Sequence, residues 1–178
     1  VNNKGITGLN REKKDTYLLY QANFLKKPFI AFGSNSWYNR AGIETQPGIC
    51  TQYVSIYSNL PKISVTVNFK NFGEYKTENG FAIVPIPFTN GINVITANAK
   101  NGNDVVSDFY KTNFQVIPNK INDSSFESLN VMFGSNRYFE DKSAAICWIP
   151  EQAYTKGSWG YVGGKSFKTN TRYGQLPA

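Results

Sequence analysis

The sequence predicts a mainly β chain: an antiparallel β-sandwich, one helix before it and a shorter β segment after it. Three observations predict this. Eleven Tyr and thirteen Phe accompany frequent Ile and Val, the residues that suit a pleated, half-buried surface. The stretch "ISVTVNF" alternates without a fault, with Ile63, Val65, Val67 and Phe69 on one face and Ser64, Thr66 and Asn68 on the other, the pattern of a half-buried antiparallel strand. Asn, Gly, Ser, Thr and Pro recur so evenly that no long interval escapes a turn signal. At 178 residues the chain is long enough to bury a core, as one large domain or two small ones.

The helix is read over residues 11–24, "REKKDTYLLYQANF". Asn10 is placed as its N-cap, Glu12 and Asp15 lie in the early turns where the helix dipole favours negative charge, and Leu18, Leu19 and Ala22 mark one apolar side. Pro28 stops it. That apolar side must be buried, either on the following sheet or on a further domain. From residue 29 to 117 the text becomes strands, read at 50–57, 63–69, 81–86, 91–99 and 105–117. Asn59-Leu60-Pro61, Asn79-Gly80, Asn90-Gly91 and Asn101-Gly102 separate them as turns. Short strands at this spacing predict an immunoglobulin-like sandwich. A polar, Pro-bearing linker follows, and beyond it a second β-rich segment with a dense aromatic and glycine content. No internal repeat or low-complexity tract is read.

Composition excludes several function classes. The chain has no histidine, so Ser-His-Asp and Cys-His nucleophilic sites and His-ligated metals are ruled out. Two cysteines, Cys50 and Cys147, cannot build a zinc cluster; each reads as a buried free thiol, with a disulfide between them the alternative in an oxidising compartment. The net charge of +7 comes from lysines and arginines dispersed along the chain rather than gathered in a tract, which argues against nucleic acid as a partner. No apolar window is long enough for a membrane span. The first residues lack an initiator Met and the apolar core of a signal peptide, and are expected to follow something longer.

The stretch "GSWGYVGGKS", residues 157–166, invites a phosphate-loop reading, but Trp159 stands where the first glycine of that motif would have to be, and no apolar strand precedes it. Glu140-Asp141 and Glu151 are the acids near the aromatic cluster; they read as solvated turn residues rather than a general acid/base pair. Asn122-Asp123-Ser124 matches a glycosylation sequon, a triplet that arises by chance. What remains is the cluster Tyr138, Phe139, Trp148, Tyr154, Trp159 and Tyr161. Trp159, Tyr161 and Tyr138 are the candidate sugar-stacking residues, and core packing is the competing reading for each. No catalytic, cofactor-binding or metal-binding residue is assigned, and no cofactor is expected.

Three stretches, in this order, carry a family resemblance. "GITGLNREKKDTYLLYQANF" resembles the end of the catalytic barrel in β-galactosidase-like enzymes of glycoside hydrolase family 2, "YVSIYSNLPKISVTVNFKNFG" resembles the immunoglobulin-like domain after that barrel, and "LNVMFGSNRYFEDKSAAICWIPEQAYTKGSWGYVGGK" is similar to the opening of a malectin-like (galactose-binding-like) domain. The resemblance divides the chain into a helical tail of the barrel at residues 1–27, an immunoglobulin-like sandwich at 28–118, a linker at 119–128 and a partial malectin-like segment at 129–178. It departs from the family at Asn68-Phe69, where members carry Asn-Gly, so the turn type there stays open. The family's two catalytic glutamates sit on barrel strands, and no acid of this chain matches either one. The resemblance therefore implies a non-catalytic C-terminal accessory region of a secreted or periplasmic bacterial glycosidase, acting as spacer and glycan-contacting surface. Its implied partners are the upstream barrel of the same polypeptide and an oligo- or polysaccharide, with a free-standing carbohydrate-binding module as the alternative. Half a malectin-like sandwich cannot bury its own inner face, so the tail is expected to pack on the immunoglobulin-like domain or on a second copy of the chain.

Overall fold

The computed structural model describes residues 5–120, 124 and 126–164. One helix, α1 (Asp15–Phe24), precedes eight strands that form two facing sheets. The first sheet has the order β1-β3-β6, from β1 (Ile30–Phe32), β3 (Cys50–Ser58) and β6 (Phe81–Phe88). The second has the order β2-β8-β7-β4-β5, from β2 (Asn39–Ile43), β4 (Lys62–Val67), β5 (Lys70–Lys76), β7 (Gly91–Asn101) and β8 (Asp104–Ile117). All pairings are antiparallel except β2 with β8, which is parallel. Between β1 and β2 the chain leaves the first sheet and joins the second, so residues 33–38 form a sheet-switching loop. This is the expected immunoglobulin-like sandwich.

Alternation builds its core. Ile63, Val65 and Val67 of β4, together with Ile95, Ala97 and Ala99 of the neighbouring β7, face Ala82, Val84, Ile86 and Phe88 of β6 across the interior. Phe88 and Phe114 stack at 4.6 Å between centroids and 6° between planes, near the lower limit for aromatic pairs. Strand β6 continues through Pro87 to Phe88, beyond the expected end at Ile86. It can do so because it is an edge strand: Pro85 and Pro87 pair with Tyr53 and Thr51 of β3 on one side only, and a missing N–H on the open side costs no ladder bond while discouraging edge-to-edge association.

The β4–β5 turn settles the question left by Asn68-Phe69. Both residues have positive φ, 48° and 65°, the signature of a type I′ hairpin turn, although the second is not glycine. Asn68 is held there by its side chain, whose Oδ1 accepts from Val94 N at 2.9 Å and whose Nδ2 donates to Asn93 Oδ1 at 3.2 Å. Asn93 is fully buried and in turn binds Thr89 and Gly91, so the two hairpin ends are tied together. Phe69 has no such compensation and is 88% exposed. Phe69→Gly should therefore raise stability by about 0.5–1 kcal/mol, the relief of a left-handed side-chain residue less the extra freedom of an unfolded glycine. An increased urea midpoint at unchanged m-value is the expected result; a lower midpoint would contradict it.

The helix begins four residues later than expected, with Lys14 rather than Asn10 at its N-cap. Residues 7–13 instead close a small loop, with Thr7 bridging Lys13, Gly8 N donating to Glu12 O at 2.8 Å, and Arg11 at φ 63°. Glu12 turns back to accept from Asn10 N and Nδ2, so Asn10 is occupied and caps nothing. Leu18 and Ala22 bury themselves with Tyr57 on the outer face of the first sheet. Asp15 fixes the helix start, accepting from Ser34 N at 2.8 Å and from Ser34 Oγ at 3.2 Å.

The tail carries three short strands, β9 (Val131–Met132), β10 (Phe139–Asp141) and β11 (Ile146–Pro150), in the order β10-β11-β9. Cys147, Ile149 and Trp159 share a second core with Ala41 of β2 and Ile117 of β8, joined by Ile43, Phe126, Leu129 and Val131. The described part of the tail thus packs on the sandwich, as its small size requires. The sequon at Asn122-Asp123 and the end of the glycine stretch at Lys165-Ser166 lie outside the described residues.

Candidate functional site

The seam between tail and sandwich is closed by Glu140. It is 8% exposed, a correction to its reading as a solvated turn residue. The reason is geometric: the Glu140 side chain reaches from β10 to the start of β2, where its Oε1 accepts from Tyr38 N at 3.0 Å, Asn39 N at 2.7 Å and Asn39 Nδ2 at 3.3 Å. A carboxylate that serves two backbone donors can be taken out of water. Its Oε2 has no hydrogen-bond partner among the described residues. Asp141 points the other way, as neighbours on a strand do, and caps a turn by accepting from Ser143 N, Ser143 Oγ and Ala144 N. The Ser143 hydroxyl holds its carboxyl below the usual carboxylate range. Glu151 accepts from Gly134 N at 3.0 Å. These three acids serve structure, each by binding backbone donors.

Beside Glu140 a pocket of about 430 Å³ opens, lined by Ser34, Trp37, Arg40, Ala41, Gln52, Arg137, Tyr138 and Cys147. Its size falls within the range of about 300–1,000 Å³ typical of small-molecule sites. One wall is the sheet-switching loop. Tyr110 Oη donates to Trp37 O at 3.0 Å, and Thr112 Oγ1 and Asn113 N both donate to Tyr38 O at 2.7 Å, so β8 fixes this loop from beneath. Arg40 lies over the Tyr110 ring at 5.1 Å and donates through Nη2 to Ser34 O at 2.9 Å; its Nε is buried without a hydrogen-bond partner among the described residues. Burial holds the Tyr110 hydroxyl above the usual tyrosine range, against the opposing pull of the Arg40 cation and the Thr112 hydrogen bond. The opposite wall is the β9–β10 loop, which brings Arg137 and Tyr138.

Of the three candidate sugar-stacking residues, the structure brings only Tyr138 to this pocket, 40% exposed. Burial raises its hydroxyl pKa, with the two nearby thiols adding to the effect. Trp159 is 7% exposed and lies inside the second core, so its ring offers no open face to a sugar. Tyr161 is 47% exposed but sits in a separate small ladder, its N donating to Gln152 O and its O accepting from Tyr154 N. Gly160 between them has φ 147°, and a Cβ there would stand 2.5 Å from Gln152 O and 2.6 Å from Tyr154 N. The glycine stretch is therefore a close backbone crossing, which is a structural role. Cys50 and Cys147 are both buried and free, and burial pushes the Cys50 thiol up to about 11, leaving it an inert core residue. No group of three or more metal-ligating side chains occurs among the described residues.

Sequence reading missed Trp37 and the two arginines, although a signal was present. "FGSNSWY" at residues 32–38 is echoed by "FGSNRYF" at 133–139, a short internal similarity where no repeat was read. The echoed segments supply the two walls of the pocket, with Trp37 and Tyr138 at the same position of each. The correspondence is confined to the loops, since Phe32 is fully buried and Phe133 is 80% exposed.

No family model matches the chain. A Bacteroides uniformis β-glucuronidase of known structure is 34% identical with TM-score 0.83, over 92% of this chain and 20% of its own. A calcium-binding mutant of Bacteroides uniformis β-glucuronidase 2 is 32% identical with TM-score 0.87, over 99% of this chain and 22% of its own. A Formosa agariphila protein assigned as a β-glucuronidase is 25% identical over 161 residues, 83% of this chain and 19% of that protein. The chain spans about a fifth of the length of these relatives. The expected kinship with β-galactosidase-like glycosidases is thus found as similarity in sequence and fold to bacterial β-glucuronidases, in a portion consistent with their C-terminal part.

Proposed function

We propose that this chain is a non-catalytic accessory region of a secreted or periplasmic family 2 glycoside hydrolase, whose parent acts on β-linked glucuronides or galactosides. The observation that carries the reading is the match of nearly the whole chain, at TM-score 0.83 to 0.87, to about one fifth of β-glucuronidase chains. In this reading the immunoglobulin-like sandwich is a rigid spacer. Its helix α1 supports that role, because the side turned away from the sheet exposes Tyr20 and Phe24, stacked at 5.7 Å, as a surface for the preceding barrel. The tail after residue 128 is the opening of a malectin-like segment and supplies the glycan-contacting surface. A free-standing carbohydrate-binding module is the second reading, favoured by the pocket between the two echoed loops.

The purified 178-residue chain is expected to fold cooperatively and to leave nitrophenyl β-glucuronide and nitrophenyl β-galactoside unhydrolysed. Turnover of either, absent from a mock purification, would overturn the non-catalytic assignment.

A further inference from the structure

The pocket between the echoed loops has a definite chemistry. Trp37 and Tyr138 provide apolar aromatic faces, the platforms on which the C–H faces of a sugar ring rest. Arg40 and Arg137 provide two cations, and among the described residues no acidic side chain lines the cavity. Arg40 is pre-positioned: it is stacked on Tyr110 and donates to Ser34 O. Gln52, donating to Ala41 O at 3.1 Å, is fixed on the floor. Both walls are held before any ligand arrives, one by Tyr110, Thr112 and Asn113, the other by Glu140, whose carboxylate joins β10 to the start of β2. Rigid walls lower the ordering cost of binding.

We propose that this pocket is a non-catalytic binding site for a single sugar residue bearing an anionic group, its ring lying against Trp37 and Tyr138 and its carboxylate or sulfate meeting Arg40 and Arg137. The proposal rests on the glycan-contact reading above for the sugar, and on the pocket's own arginines for the charge. A neutral sugar would bring no counter-charge to those two arginines. A neighbouring cleft of about 470 Å³ lacks this combination, being lined chiefly by polar side chains such as Asn39, Asn90 and Asn113, with its one aromatic, Phe114, buried.

The test is a titration of the 178-residue chain, followed by tryptophan fluorescence and calorimetry, with methyl β-D-glucuronide, methyl β-D-glucoside 6-sulfate and neutral methyl β-D-glucoside. At low salt the glucuronide or the sulfate ester should bind at least about tenfold more tightly than the neutral glucoside, and the stronger of the two identifies the anionic group. Arg137→Gln, an exposed change, should bring the anionic sugar down to the neutral level without moving the urea midpoint, and Tyr138→Ala should weaken all three sugars. Added salt should erase most of the difference between charged and neutral ligands. Equal affinity for charged and neutral sugars would overturn the charge assignment and leave glycan contact standing. Absence of binding by any of the three would overturn both. Binding that is selective but unchanged in Arg137→Gln and Tyr138→Ala would place the site elsewhere and overturn the proposal.

Discussion

Glu140→Ala should destabilise the protein by about 3 kcal/mol and free the tail from the sandwich before the sandwich itself unfolds. The loss follows from what the substitution strands. Tyr38 N and Asn39 N both donate to Glu140 Oε1, and each becomes a part-buried donor that loses its acceptor, at about 1–3 kcal/mol per group. Glu140→Gln retains an oxygen in the same place and should cost about 1 kcal/mol, the difference between a charged and a neutral acceptor. Hydrogen exchange distinguishes release of the seam from general weakening. In Glu140→Ala the amides of Tyr38, Asn39 and Ile149 should lose protection, while those of β4 and β7 keep theirs relative to global unfolding. If Glu140→Ala unfolds within about 0.5 kcal/mol of the parent, or if all amides lose protection alike, the carboxylate is not what joins tail to sandwich. The same measurement bears on the pocket, whose two walls meet at this residue.

The sandwich was legible in the sequence because its central strands carry their period openly. β4 alternates perfectly, β3, β7 and β8 begin within one residue of their expected starts, and the Asn-Gly pairs mark real turns. What escaped notice shares a physical cause. β1, β2 and β5 are short or edge strands whose burial depends on neighbours far along the chain; β5, for example, buries no residue fully. The helix start was misplaced because Asn10 looks like a cap, yet its side chain is engaged by Glu12 two residues on. Glu140 was misread for a similar reason. A carboxylate is burial-averse by type, and only the arrival of the β2 start, about a hundred residues earlier, supplies the donors that make burial tolerable. The pocket was the least legible feature, since Trp37 and Tyr138 belong to loops that face one another only after the tail has docked. Their shared "FGSN" beginning was visible, but four residues in common do not announce a cavity. The candidates chosen by aromatic density were drawn instead toward Trp159, where density reflects a core.

Trp159→Ala should cost about 3–5 kcal/mol, the usual loss on deleting a large buried aromatic and leaving a cavity. The ring is 7% exposed and packs with Cys147 and Ile149 of β11 and with Ala41 and Ile117 of the sandwich. This cluster is the apolar half of the junction that Glu140 closes on its polar side, so its removal should also undock the tail. Trp159→Phe separates the contributions. It keeps a buried ring and removes the indole N–H, which is buried without a partner among the described residues, so it should recover most of the loss. Tyr161→Ala, two residues on and 47% exposed, should change stability by no more than about 0.5 kcal/mol. This contrast decides the role of the glycine-rich stretch. A binding loop would show the reverse order, with both aromatics cheap to remove and sugar affinity lost. A structural crossing, in which Gly160 lets one backbone pass within van der Waals reach of another, makes Trp159 indispensable to the fold and leaves Tyr161 free. Unfolding midpoints of the three variants, read by circular dichroism in urea, separate the two. A loss below about 1 kcal/mol for Trp159→Ala would return this tryptophan to the list of ligand-facing residues.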